Sequence, residues 1–449
     1  MDGRTSERRT GDLRLAAGIV ALEFAAAVST FVASTLLPIV AAELGARDRL
    51  GLLIAGGTLG LFVAMPLAGT VLRRLGAGRT LALGTAFYAG GLVVAATAQQ
   101  AWAFALGQFA SGVASGLLAV FGISAAIRRL DERLRLKVVA ASSAMWILPA
   151  MVGPAATLAL EHAAGWRWTL VAPVPVVLAG RFLVVRAVRG ETSPDDGQRL
   201  RPAGLLVPAG AAAVVLADGV WPVAVAGALA AVAGAVALLP AGTAWLRRGA
   251  PSALAAMVLF GAGYVGADSL ITVLLTDDYG VGLARAAIVL GAAPLMWGLT
   301  SLVVARVGPE RQVPAAGLAL TAAAAAVLAA GPREFAVALI AWAAGGAGVG
   351  LAYPGLYLRA TTAAATPGRA LPAAELATAV ITGEAVGGLL GRAGGGALAS
   401  SSTSAAYGAF AVLLAAAALA ATRSRAPGPA PRPGPGPGPG PTLTPGAAP

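Results

Sequence analysis

Long apolar stretches succeed one another from about residue 15 to residue 422, separated by short gaps in which the charged residues collect. A helix needs roughly 20 consecutive apolar residues to cross the hydrocarbon core of a bilayer, and only helices or closed barrels satisfy every backbone group there. The stretches show no alternation of period two, which excludes a barrel, so the pattern predicts an all-α polytopic membrane protein. The expected spans are 15–42, 50–72, 80–98, 102–127, 138–160, 169–187, 203–217, 221–245, 251–275, 286–305, 314–330, 334–358, 375–399 and 405–422. That makes fourteen. The runs 203–217 and 314–330 are the weakest, and an interfacial hairpin in place of the seventh and eighth would give twelve.

Basic residues fall almost entirely into every second gap. About 25 lie in the termini and in the loops after even-numbered spans against about 5 elsewhere, and this excess places both termini in the cytoplasm. The basic loops are 73–79, 128–137 and 186–201. Trp102, Trp166, Trp168 and Trp221 fall at the other ends of their spans, as an interfacial aromatic belt would. The chain therefore divides into a cytoplasmic N-terminus (1–14), a first six-helix half (15–187), a central loop with two extra helices (188–250), a second six-helix half (251–422) and a tail (423–449). The tail is a Pro/Gly repeat, expected to be disordered because it can neither form a helix nor bury a core.

Composition narrows the chemistry. The chain is 58% apolar and 12% charged, with a formal charge of +12. That charge is spread over short loops rather than one face, which argues against a nucleic-acid partner. The absence of Cys and the single His, His162, remove thiolate metal sites, thiol catalysis and most general-base arrangements, so neither an enzyme nor a cofactor is expected. Lys137 is the sole lysine among many arginines, a bias that with the Ala/Gly richness points to a bacterial cytoplasmic membrane.

Two loops repeat. Arg74, Gly76 and Arg79 follow the second span, and Arg306, Gly308 and Arg311 follow the tenth at the same spacing, which suggests a duplicated six-helix unit. The first loop, with Gly69, resembles the cytoplasmic loop motif of the major facilitator superfamily. Further stretches are similar to its fourteen-helix drug:proton antiporter branch: Thr35-Leu-Leu-Pro38 through Glu43 and Gly45, Gly153-Pro154 in the fifth helix, and Trp166-Arg-Trp168 with Pro173 and Pro175. The resemblance implies two halves rocking about a central cavity, with protons driving export of a drug-like compound. The chain departs from the family in three places. Arg73 stands where the loop usually has Asp, Gln108 through Gly112 lacks the basic residue of the fourth helix, and Ala155 to Leu158 replace the usual Gly pair.

A charge at mid-bilayer costs from a few to about ten kcal/mol or more unless it is paired, wetted or neutralised. Glu23, Asp268 and Glu384 are the acids well inside spans, and they are the candidate proton-coupling groups. Arg392 shares a span with Glu384 but lies about 12 Å further along the axis, too far to pair with it. It could line the cavity or snorkel to the outer surface. Trp146, Tyr264, Trp297, Trp342 and Tyr353 could wall a cavity for a lipophilic or cationic guest, or simply pack. Pro149, Gly153 and Pro154 would bend the fifth helix and let it approach a neighbour. Arg74, Arg79, Arg306 and Arg311 could hold one access state by contacting helix ends, whose carbonyls favour cations.

The expectation is a monomeric, proton-coupled exporter of small amphipathic organic compounds, in contact with lipid and protons. A metabolite or amino-acid exporter of the same fold, and a non-transporting membrane scaffold or sensor, are the alternatives.

Overall fold

The computed structural model describes residues 2–46, 50–188, 201–217, 219–362 and 372–425. The Pro/Gly repeat beyond 425 and most of the central loop lie outside them. Within the described residues the chain is all-helical, and ten helices are long and apolar enough to cross a membrane. The elements are α1 (Asp2–Glu43), α2 (Leu50–Ala96), α3 (Ala101–Arg129), α4 (Glu132–Ala144), α5 (Ile147–Val171), α6 (Val174–Val188), α7 (Leu206–Val215), α8 (Trp221–Leu238), α9 (Ala250–Phe260), α10 (Gly266–Val273), α11 (Leu283–Val304), α12 (Pro314–Ala330), α13 (Phe335–Ala360), α14 (Ala373–Ala399) and α15 (Thr403–Thr422). The runs expected at 203–217 and 314–330 form helices too short to count among the ten.

Two expected spans, 50–72 and 80–98, fall in the single element α2, which folds back at Gly76. There φ is 73° and ψ 171°, a conformation that costs an L side chain and leaves Gly free. Small residues then let α3 approach both legs. Gly56 faces Ala105 and Gly60 faces Phe109 on the first leg, which runs parallel to α3. Gly91 faces Gly107 and Gly84 faces Leu118 on the second, which runs antiparallel. A methyl group at Gly60 would overlap the Phe109 carbonyl, so this seam depends on bare backbone, as close helix packing in membranes does. Caps fix two other helix starts: the Asp131 side chain accepts from Leu134 N at 2.8 Å, and Ser402 Oγ from Ala405 N at 3.1 Å.

Helices α1–α6 pack together, as do α9–α15, while α7 and α8 lie against both α2 and α14. The two groups meet at the end carrying the basic loops. Ala374 of α14 packs into a cluster with Leu72, Leu81, Leu118 and Phe121, Gly298 of α11 abuts Ala144 of α4, and Arg201 Nη2 bonds Glu375 Oε1 at 2.8 Å. Towards the other end they part. Residues 374–383 of α14 are all buried, whereas Arg392, Gly394 and Gly396 to Leu398 are exposed. In the same way Arg135, Leu136, Val138, Val139, Ala140 and Ala144 of α4 are buried, but α5 is exposed around nearly its whole circumference from 151 to 164. We infer from this pattern a cleft between the groups, closed at the basic end and open at the other.

Candidate functional site: acids and aromatics at the floor of the cleft

Glu23 is placed by α1 against the start of α5. Trp146 Nε1 donates to Glu23 Oε1 at 3.1 Å, and the Trp146 ring stands edge-on to Phe31 with centroids 6.4 Å apart. Phe31 fits because Gly153 has no side chain: a Cβ there would sit 3.2 Å from Phe31 Cβ. Gly153 of the expected Pro149–Gly153–Pro154 segment thus makes a close helix contact; Pro149 is buried and Pro154 lies within the helix. Beside Glu23 a cavity of about 120 Å³ is lined by Ile19, Tyr88, Ser115, Gly122 and Val177, and the Tyr88 hydroxyl meets Ser29 of α1.

From the other group, Glu384 of α14 lies beside the Tyr353 hydroxyl of α13 and within electrostatic range of Glu23. Its Oε1 is buried with no protein hydrogen-bond partner among the described residues. Tyr357, one turn beyond Tyr353, is within range of both acids and of Arg135 of α4. Two acids far apart in sequence and on different helix groups therefore share one polar floor.

Four of the five expected aromatic residues form one cluster. Tyr264 stacks on Trp342 and on Phe260, in each case at 5.5 Å, and meets Trp297 edge-on at 5.7 Å. Trp297 meets Tyr353 at 5.4 Å. Trp342 is fully buried and Tyr264 nearly so, so these two support the wall, and the half-buried Trp297 and Tyr353 carry it to Glu384. Trp146, the fifth, belongs to Glu23 instead.

Asp268 stands apart from the shared floor. It lies in α10 within range of Tyr264 and Tyr407, its Oδ1 is buried without a partner, and Tyr407 spends its hydroxyl on the Ala267 carbonyl at 2.7 Å. Arg392 is exposed, beyond the buried stretch of α14.

The repeated basic loops do not make the expected helix-end contacts. Arg74, Arg79, Arg306 and Arg311 are exposed, and no partner for them occurs among the described residues. The two glycines also differ, since Gly76 has φ of 73° while Gly308 has φ of −61°. Other arginines bind main-chain carbonyls instead: Arg201 Nη1 binds Ala237 O at 2.9 Å at the end of α8, and Arg359 Nη2 binds Gln312 O at 2.7 Å in the turn before α12. Trp166 departs from the expected interfacial belt, for it is buried and donates to Glu43, which Arg167 also binds.

Sequence reasoning missed Phe260, Tyr357, Arg135 and the Arg201–Glu375 pair. The spacing of four residues in Phe260/Tyr264 and Tyr353/Tyr357 was a usable signal, because such pairs share a helix face. Arg135 and Arg201 were hidden in loops whose charge reads as topology.

The family model for the Major Facilitator Superfamily matches residues 19–380. A probable multidrug-efflux transporter of Mycobacterium tuberculosis is 29% identical over 91% of this chain and 93% of its own length. Among solved structures, the human organic anion transporter MFSD10 superimposes with a TM-score of 0.70 at 15% identity, covering 91% of this chain and 99% of that one. The Escherichia coli fucose:proton symporter FucP gives 0.63 at 17% identity, covering 92% and 98%.

Proposed function

Because the chain belongs to the major facilitator superfamily, and is a membrane transporter rather than an enzyme, we propose that it is a proton-coupled exporter of small amphipathic, drug-like organic compounds. In this reading fourteen helices cross a bacterial cytoplasmic membrane with both termini inside. The halves 15–187 and 251–422 rock about the cleft, and the central pair α7 and α8 forms the additional two crossings. The mycobacterial efflux relative supports the direction and substrate breadth.

The observation that carries the proposal is that Glu23 and Glu384, one from each helix group, lie within electrostatic range of each other. An acid buried without a full set of partners can hold a proton in one access state and lose it in the other, when the surrounding contacts change. Trp146 donates to Glu23 and the Tyr353 hydroxyl lies beside Glu384, too few donors to satisfy both oxygens of each carboxyl. The half-buried aromatic edge beside them suits a flat apolar body.

The test is reconstitution in inside-out proteoliposomes with an acidic lumen and a panel of anionic, cationic and neutral amphipathic dyes. Accumulation of some of them, with proton release from the lumen that stops on collapse of the gradient, is expected. Equilibration of every compound without any effect of the gradient would contradict coupling.

A further inference from the structure

Arg392 has three structural properties that together define a binding function. It lies within a membrane-crossing helix yet has no acidic partner among the described residues. It shares a helix face with Ala374, about five turns below it, and Ala374 belongs to one buried cluster with Leu72, Leu81, Leu118 and Phe121 of the opposite helix group. That face of α14 therefore looks across the boundary, and at the height of Arg392 the boundary is open cleft. The side chain also runs back along the helix towards the closed end, with Nη1 3.7 Å from where a Cβ on Gly388 would sit and Val265 next to the same spot. A snorkelling arginine would point the other way, to the headgroups at the open end.

An arginine held in an apolar span, folded back along its own helix beside Val265 and away from the headgroups, is costly unless its charge is used. Its planar fork matches carboxylate and sulfonate oxygens in pairs. We propose that Arg392 docks an anionic group of the transported compound, so that the chain favours amphipathic organic anions or zwitterions over lipophilic cations. Glu384 lies about 12 Å deeper on the same helix, with Trp297 and Tyr353 beside it. A compound whose anionic end meets Arg392 can reach that aromatic edge, about 12 Å away, with an apolar body of up to about four fused rings. Glu384, at the far end, disfavours a second negative charge there, which gives the site a polarity from outside to floor.

This inference rests on the transport reading for its biological meaning, but its test is binding and is independent of transport. The probes are 1-pyrenebutyrate and 1-pyrenebutylamine, which share one ring system and differ in the sign of their charge at neutral pH. Each is titrated onto the full chain in nanodiscs, with empty nanodiscs subtracted, for wild type, Arg392→Gln and Arg392→Lys. Expected is saturable pyrenebutyrate binding at least tenfold tighter than pyrenebutylamine binding, weakened at least tenfold in Arg392→Gln and partly restored in Arg392→Lys. The amine should bind Arg392→Gln as well as wild type or better. Equal pyrenebutyrate binding by wild type and Arg392→Gln, or no saturable anion binding by wild type, overturns the assignment. A chain that binds as expected but moves neither probe up a proton gradient would leave the docking role standing and count against proton-driven export.

Discussion

Arg201, at the head of the central helical pair, joins Glu375, at the base of α14, by a 2.8 Å ion pair. The same guanidinium holds the last turn of α8 through Ala237 O. The two extra helices are thereby tied to the closed end of the cleft, on the side where they touch both α2 and α14.

The pair should bias the access equilibrium. Arg201 is nearly half exposed, so the interaction is screened and worth about 1 kcal/mol, or about a fivefold change in population. Glu375→Gln should accordingly increase the state open at the basic end. Because the chain has no native Cys, spin labels at Gly78→Cys and Glu310→Cys, both exposed at that end, would report it as a longer distance component. An unchanged distance distribution would make the pair a passive contact.

The α9–α14 seam should tolerate no side chain where the backbones touch. A methyl at Gly391 would overlap the Ala262 carbonyl, and one at Gly387 the Val258 carbonyl, whereas Gly394 faces open space. Gly391→Val should lower stability by about 1–3 kcal/mol, as overpacking does, and Gly394→Ala should be silent. Thermal unfolding in detergent separates the two, and equal melting temperatures would show that the seam can open without cost.

Orientation is open to direct labelling. Gly78→Cys, at the basic end, should be shielded from a membrane-impermeant maleimide in intact cells, and Gly282→Cys, at the other end and with nothing within 4 Å of its Cβ position, should react. The opposite pattern would invert the cleft and make this an inward-open state.

The residues show how far the sequence alone could reach. Apolar run length and the basic bias depend on neighbours in sequence, so the helices and their class could be read directly, as could the acids inside them. Pairing could not. Glu23 and Trp146 meet only because α1 crosses the start of α5, and Glu23 and Glu384 only because two helix groups close at one end. The chain folds back at Gly76 between the expected spans 50–72 and 80–98, so the two runs form two opposed legs as hydropathy predicts, while the backbone angles of the turn are a detail that hydropathy does not encode. The matched spacing of Arg74 and Arg306 did not bring matched turns, since Gly76 has a positive φ and Gly308 does not. Arg392 was legible as a misplaced charge, and only the packing of Ala374 on the same face gave its direction.

The central claim is that Glu23 and Glu384 together carry the proton step, oriented by Trp146 and Tyr353. Trp146→Phe keeps the ring against Phe31 but removes the donor to Glu23, and loss of such a bond, worth about 1 kcal/mol, should slow gradient-driven transport several-fold at matched expression. Asp268→Asn, away from the shared floor, should alter affinity more than coupling. The most direct measurement is gradient-driven accumulation against substrate counterflow, in the same proteoliposomes, for wild type, Glu23→Gln, Glu384→Gln and the double variant. The account predicts that accumulation falls at least tenfold in each amide variant while counterflow, which needs no net proton movement, persists. A double variant that accumulates substrate against its gradient at the wild-type rate would contradict it.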